Sequence, residues 1–252
     1  MIDIHCHLEF IENPIEVIET SKGKMKAILT SVADPKNARA VFDLEKKYPN
    51  FLFVTLGFHP EYLLNYQDDE IEKYIEFIKN SKEKICAIGE VGMDFSKECE
   101  EIDKMRMRKV FVRFINLAKE LNLPLVIHAR DAFKEVLEIL KELKAQRVCL
   151  HCFSGSEGIL KEALRMGYFI SFATNVCYTK KHPRLAEKTP IERMLLETDS
   201  PWLDPENPKS LTNRPWKIFY SAKVISEIKK IPPEKVLEIT TKNAIEFFNL
   251  KF

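Results

Sequence analysis

Apolar residues fall along this chain in short unbroken runs, separated by longer amphipathic stretches. The runs are Ile2 to His7, Lys26 to Val32, Phe51 to Phe58, Ile85 to Val91, Leu125 to His128, Arg147 to Phe153, Tyr168 to Ala173 and Arg193 to Thr198. Continuous rather than alternating polarity marks parallel strands covered on both faces. Between the runs the apolar spacing changes to that of helices. Ile71, Tyr74, Ile75 and Ile78 follow i, i+3, i+4, i+7 spacing after the acidic Asp68-Asp69-Glu70, which suits a helix start. Val110, Phe114, Leu117, Ala118 and Leu121 make a second stripe, stopped before Pro124. Phe133, Val136, Leu137 and Leu140 make a third, with Asp131 as its expected N-cap. Two further helices, 215–230 and 233–248, each open on Pro, which a first turn tolerates.

Eight βα units in 252 residues predict an α/β protein, a single (β/α)8 TIM-type barrel spanning 1–252. An open doubly wound sheet is the alternative, but no GxGxxG follows any run. The Pro- and Asn-rich stretch 204–215 reads as a long loop after the eighth strand rather than a domain boundary.

Composition narrows the function. Hydrophobic residues are 45% of the chain, enough for a substantial core, and the formal net charge is only +1. A sequence-independent nucleic-acid binder usually carries a basic excess, so any nucleic-acid contact here is local or made through metal. No apolar run reaches the length of a membrane span and no signal region opens the chain. The six cysteines show no regular spacing. These features lead us to expect a cytoplasmic monomer with reduced thiols and no protein partner.

The candidate chemistry lies where a barrel puts it, at the C-terminal ends of strands. The first run ends with His5 and His7, which alternation turns to one face while Cys6 faces away. The third ends with His59, the fourth with Glu90 and then Asp94, the fifth with His128 and then Arg130, the sixth with His151. The eighth ends with Glu197-Thr198-Asp199. Five of the six histidines therefore occupy strand ends, and His182 alone does not. Four imidazoles and two carboxylates can hold two divalent ions, with His5 and His7 on one, His128 and His151 on the other, and Glu90 between them. Asp199 can bind a metal and accept a proton from a metal-activated water. Imidazole-rich ligation favours Zn, Mn or Co, while phosphoryl chemistry often uses Mg.

These segments resemble the TatD family of metal-dependent deoxyribonucleases, within the amidohydrolase superfamily. The matching stretches are IDIHCHL at 2–8, GFHP at 57–60, GEVGMD at 89–94, PLVIHAR at 124–130, HCFSG at 151–155, LLETDSPWL at 195–203 and TKNA at 241–244. The resemblance spans the whole chain in order. It implies a TIM-type barrel, ester-bond hydrolysis of DNA, and metal ligands at His5, His7, Glu90, His128, His151 and Asp199. Two departures bear on substrate contacts rather than on the metals. Phe95 stands where the family usually has Tyr, and Thr212 precedes Asn213-Arg214-Pro215 where the family commonly reads Arg-Asn-x-Pro, with Arg214 as the replacement for the lost arginine.

Several residues carry a second, plainer reading. His59 is expected to contact substrate or orient a ligand rather than bind metal. Arg130 offers a planar fork to a phosphate, or an ion pair to Asp131 or Glu90. Trp202 and Trp216 can stack on a base or pack loops. Cys152 is expected to be structural, and Asp94 to support the site or cap its loop. The leading reading is a two-metal phosphodiesterase acting on DNA. The alternative is an amidohydrolase acting on a small phosphoester or a cyclic amide, against which Glu90 stands where many such enzymes carry a modified Lys. A non-catalytic metal-binding scaffold would have no use for Asp199.

Overall fold

The computed structural model describes residues 1–96 and 100–252, with Leu64 described by its backbone alone. Eight parallel strands follow one another around a single sheet in chain order. They are β1 Ile2–Cys6, β2 Ala27–Val32, β3 Leu52–Phe58, β4 Ala87–Asp94, β5 Leu125–Arg130, β6 Val148–Leu150, β7 Phe169–Phe172 and β8 Met194–Leu196. The connecting helices are α1 Pro14–Lys22, α2 Ala38–Glu45, α3 Asp68–Asn80, α4 Glu101–Leu121, α5 Phe133–Glu142, α6 Glu157–Arg165 and α7 Lys181–Lys188, followed by α8 Ile218–Lys229 and α9 Pro233–Phe248. This is the (β/α)8 barrel that the run pattern predicts.

The expected helical stripes are the buried faces. Ile71, Tyr74, Ile75 and Ile78 are buried on α3, and Val110, Phe114, Leu117, Ala118 and Leu121 on α4. Each large apolar side chain so buried stabilises the fold by about 2 kcal/mol. The start of α3 is tightened by Glu70, whose carboxylate accepts the Gln67 amide at 2.8 Å. One expected cap fails. Asp131 does not cap α5; the N-cap is Ala132, and Asp131 itself adopts a left-handed conformation with φ 54°. The turn out of β5 uses Asp131 to reverse the chain, so its carboxylate is not aimed at the helix amides.

Two apolar layers result. One fills the space between strands and helices. The other lies inside the lower barrel, where Ile2, Ile4, Leu29 and Val126 meet Phe247 and Phe248 of α9. The long C-terminal helix thus seals the end of the barrel opposite the candidate site. The sheet is closed between β1 and β8 largely beyond the strand ends: the His7 amide donates to Ser200 O at 2.8 Å and the Asp199 amide to His5 O at 3.0 Å. Two irregularities in register, between Leu56 and Phe58 on β3 and between Ile88 and Val91 on β4, turn the inward-facing positions. Gly57 permits this, because a Cβ there would lie 2.5 Å from the Glu90 carbonyl oxygen. No helix among the described residues is long and apolar enough to cross a membrane.

Candidate metal centre

The C-terminal mouth of the barrel holds a cavity of about 780 Å³. His7, His59, Glu90, Asp94, His128, Arg130, His151 and Asp199 line it, and His5 lies buried directly beneath. Every site residue expected from the sequence therefore converges on one mouth, although they come from six different strands or strand ends.

Glu90 is the centre of the arrangement and is almost completely buried. Its Oε1 lies 2.6 Å from His128 Nδ1, 2.8 Å from His151 Nε2 and 3.5 Å from His59 Nε2. Its Oε2 lies 3.4 Å from His5 Nε2 and 3.6 Å from His7 Nε2. Asp199 Oδ1 approaches the same pair at 3.9 Å and 3.4 Å. One carboxylate thus faces both halves of the cluster. Asp199 reaches in because its own backbone is left-handed, with φ 58°, a conformation uncommon outside glycine and concentrated at functional sites.

Outer partners fix which ring nitrogen faces inward. His7 Nδ1 donates to Ser31 O at 2.9 Å, and His151 Nδ1 donates to Glu197 Oε1 at 3.0 Å. His128 Nε2 is 2.9 Å from Asp94 Oδ2, which leaves its Nδ1 for the cluster. These pairings present lone pairs toward the cavity, the arrangement that metal-binding histidines need. His59 differs. Its Nδ1 accepts the Glu61 amide at 3.1 Å, so in the neutral ring the proton sits on Nε2, the nitrogen nearest Glu90.

The electrostatics follow from burial and crowding. Burial opposes the charged form of Glu90, yet His151, His59 and His128 together hold its carboxyl well below the usual range. Asp199 is likewise brought down to about 2, because His7 and His151 outweigh burial. Burial also works against charging His7 and His151, but Asp199 and Glu9 raise the first and Glu90 and Glu197 the second. His128 is raised against burial by Asp94 and Glu90. His59 goes the other way: burial brings it down to about 4 and keeps it neutral.

The donor set fits divalent cations. His5 Nε2 and His7 Nε2 face each other across only 3.1 Å, while buried Glu90 Oε2 and His5 Nδ1 have no hydrogen-bond partner among the described residues. Buried polar atoms left unpaired are costly, and a cation among them removes that cost. Among the described residues, three groups place their ligand atoms mutually close: His5 with His7 and Glu90, His5 with His151 and Asp199, and His59 with Glu90 and His128. The grouping crosses the division expected from the sequence, since His151 lies with His5 as well as with Glu90. Their rings stack at 4.1 Å.

Other expectations fare differently. Arg130 is exposed, lines the cavity, and makes no ion pair with Asp131 or Glu90. Asp94 does both things expected of it, supporting His128 and accepting the Ser96 amide at 2.8 Å. Cys152 leaves the sheet with φ 42° and its sulfur accepts a hydrogen bond from Asn175 at 3.5 Å, outside the ligand groups. Arg214 does not replace the lost arginine. Its guanidinium caps carbonyls of its own loop, Leu211 and Asn213, and lines a separate cavity with Trp216. Glu197 and Asp3 were not expected to matter, and both are fully buried carboxylates beside the cluster. A charged residue inside an apolar run was their one visible signal.

The chain is similar to known proteins over nearly its whole length. The family described as TatD related DNase matches residues 2–249. The chain is 35% identical to a human protein named deoxyribonuclease TATDN3, over 98% of this chain and 94% of that protein. It is 36% identical to an uncharacterized metal-dependent hydrolase of Methanocaldococcus jannaschii, over 98% and 96%. Among solved structures, YJJV, a TatD homologue from Escherichia coli, superposes with a TM-score of 0.90 at 24% identity, covering 100% of this chain and 98% of that one. At that identity the likeness speaks for the fold.

Proposed function

The chain belongs to the TatD-related DNase family and is a metal-dependent hydrolase of the deoxyribonuclease type; from that premise we propose how its residues divide the work. His5, His7, Glu90, His128, His151 and Asp199 would hold two divalent cations, with Glu90 shared. Such cations supply Lewis acidity, lowering the pKa of a water and drawing charge from a phosphoryl oxygen. Zn, Mn or Co suits the imidazoles best, with Mg as the alternative.

Asp199, held ionised, takes the proton from the attacking water. Glu90 stays a carboxylate and keeps the two halves of the cluster at fixed separation. Arg130 binds a phosphate through its planar fork. His59 contributes as a neutral N–H donor to a substrate oxygen, because its ring is committed to the Nε2–H form by the Glu61 amide. Free cysteines at 6, 86, 149, 152 and 177 fit a reducing compartment and support a cytoplasmic location.

The convergence of four imidazoles on the buried Glu90 carries this reading. A panel of single-stranded DNA, duplex DNA, RNA and simple phosphodiesters, each with and without EDTA, tests it. DNA cleavage abolished by EDTA is the expected result. Turnover of amides alone, or cleavage indifferent to chelation, rejects it. A small phosphoester is the second reading, favoured by a cavity lining whose only Lys or Arg among the described residues is Arg130. Turnover of simple phosphodiesters without DNA would select it.

A further inference from the structure

The wall of the cavity carries a feature that the hydrolytic machinery does not use. Trp202 stands at its rim, 37% exposed, with its ring 5.3 Å from that of His7 and 5.4 Å from that of Phe10. It lines the cavity beside the cluster while part of its ring stays open to solvent. Its position is fixed from both sides: the Trp202 amide donates to Asp199 O at 3.0 Å, and its carbonyl accepts from Asn213 Nδ2 at 2.6 Å. Trp216 is different. It packs against the core under the Lys24 ammonium, 4.6 Å above its ring, and lines the outer cavity.

The charge of the lining sharpens the point. Among the described residues of the lining, Glu61, Glu90, Asp94 and Asp199 are the carboxylates and Arg130 is the one Lys or Arg. A groove that held a long polyanion by its backbone would need several cations. Beside these groups the described lining offers a ligand one further kind of surface, the apolar and flat ring of Trp202 next to Phe10. An aromatic platform adds affinity through stacking, worth roughly 1–3 kcal/mol per base and tolerant of base identity.

We propose that Trp202, braced by Phe10, is a stacking platform for the nucleobase adjoining the phosphate that is cut. This deepens the DNA-hydrolase reading and rests on it. The subsite takes one base of any identity and makes recognition local, in keeping with the chain's near-zero net charge.

Two measurements test it. Trp216→Phe leaves Trp202 as the sole tryptophan of the chain. Titrating that protein with thymidine 5′-monophosphate should quench its fluorescence, and deoxyribose 5-phosphate should not. In the second, oligonucleotides ending in thymidine or in an abasic residue are compared as substrates. The preference for the base-bearing end should fall roughly ten- to a hundred-fold in Trp202→Ala and be largely restored in Trp202→Phe. No quenching, or an unchanged preference in Trp202→Ala, overturns the platform. Quenching in a protein that cleaves no DNA would uphold the platform and reject the nuclease reading, so the two failures are distinguishable.

Discussion

Asp3 holds Thr198 twice across the barrel seam. Its Oδ1 accepts the Thr198 amide at 2.9 Å and its Oδ2 accepts the Thr198 hydroxyl at 2.5 Å. The same Oδ1 also meets the His5 amide at 3.3 Å. One buried carboxylate therefore ties the residue before Asp199 to the strand that carries His5 and His7. Asp3→Ala should leave the buried Thr198 amide unpaired and cost about 1–3 kcal/mol of stability. It should also weaken metal binding, because Asp199 loses its fixed position relative to the histidines. Asp3→Asn, which keeps one acceptor, should recover part of both losses. Denaturant midpoints and metal titrations report the two effects. Full metal affinity in a destabilised Asp3→Ala protein would separate the seam from the site.

Glu197 does for one histidine what Asp3 does for the seam. It accepts His151 Nδ1–H at 3.0 Å and the Ser171 hydroxyl at 2.5 Å, with no exposure to solvent. Glu197→Gln can still meet both groups, but its amide can present N–H instead of oxygen to His151. The ring then loses its fixed tautomer. Metal affinity should fall about 10- to 100-fold, the usual effect of removing an outer partner of a ligand histidine. Equilibrium dialysis against a metal buffer measures it, and an unchanged constant would count against His151 as a ligand.

The strands were legible because parallel strands covered on both faces read as unbroken apolar runs, and all eight runs are strands. Their ends were less so. β6 and β8 have three residues each, so His151 and Asp199 lie just past the ladder, where the chain turns through φ 42° at Cys152 and 58° at Asp199. No local sequence signal dictates those turns; the surrounding packing imposes them. The same holds for direction. Nothing in the sequence shows that Arg214 folds back on its own carbonyls, or that Trp202 opens to the cavity while Trp216 packs. The tautomers of His7, His59 and His151 depend on Ser31 O, the Glu61 amide and Glu197, contacts that only the folded chain defines.

Asp204 anchors the long loop after β8, and its pH response has a definite sign. Burial alone would raise its carboxyl, but Thr212 and Lys217 outweigh that and bring it to about 2. Both of its oxygens lie 2.9 Å from Lys217 Nζ. A carboxyl whose folded pKa lies below its unfolded value stabilises the fold above the unfolded pKa, near 4, and loses that contribution as pH falls toward 2. Asp204→Asn should therefore be less stable than the parent at pH 7, by about 1 kcal/mol once solvent screening of the Lys217 contact is allowed for. The gap should narrow between pH 4 and pH 2. Thermal melts of both proteins across that window check it; a gap independent of pH would show that the ion pair contributes nothing.

His128 and His59 both lie beside Glu90 and stack edge to face at 4.5 Å, yet the structure gives them opposite expected roles. His128 turns Nδ1 to Glu90 at 2.6 Å while Asp94 takes its other nitrogen, so it offers a lone pair. His59 spends its lone pair on the Glu61 amide and offers a proton. His128→Ala should reduce bound metal from two ions per chain to one and abolish cleavage. His59→Ala should keep both ions and lower kcat by roughly 10- to 1,000-fold, the range for a lost donor to a developing oxyanion. Elemental analysis after dialysis, run beside the cleavage assay, distinguishes them. Loss of an ion in His59→Ala would make His59 a ligand and overturn the tautomer argument. Two ions retained in His128→Ala would remove His128 from the metal centre.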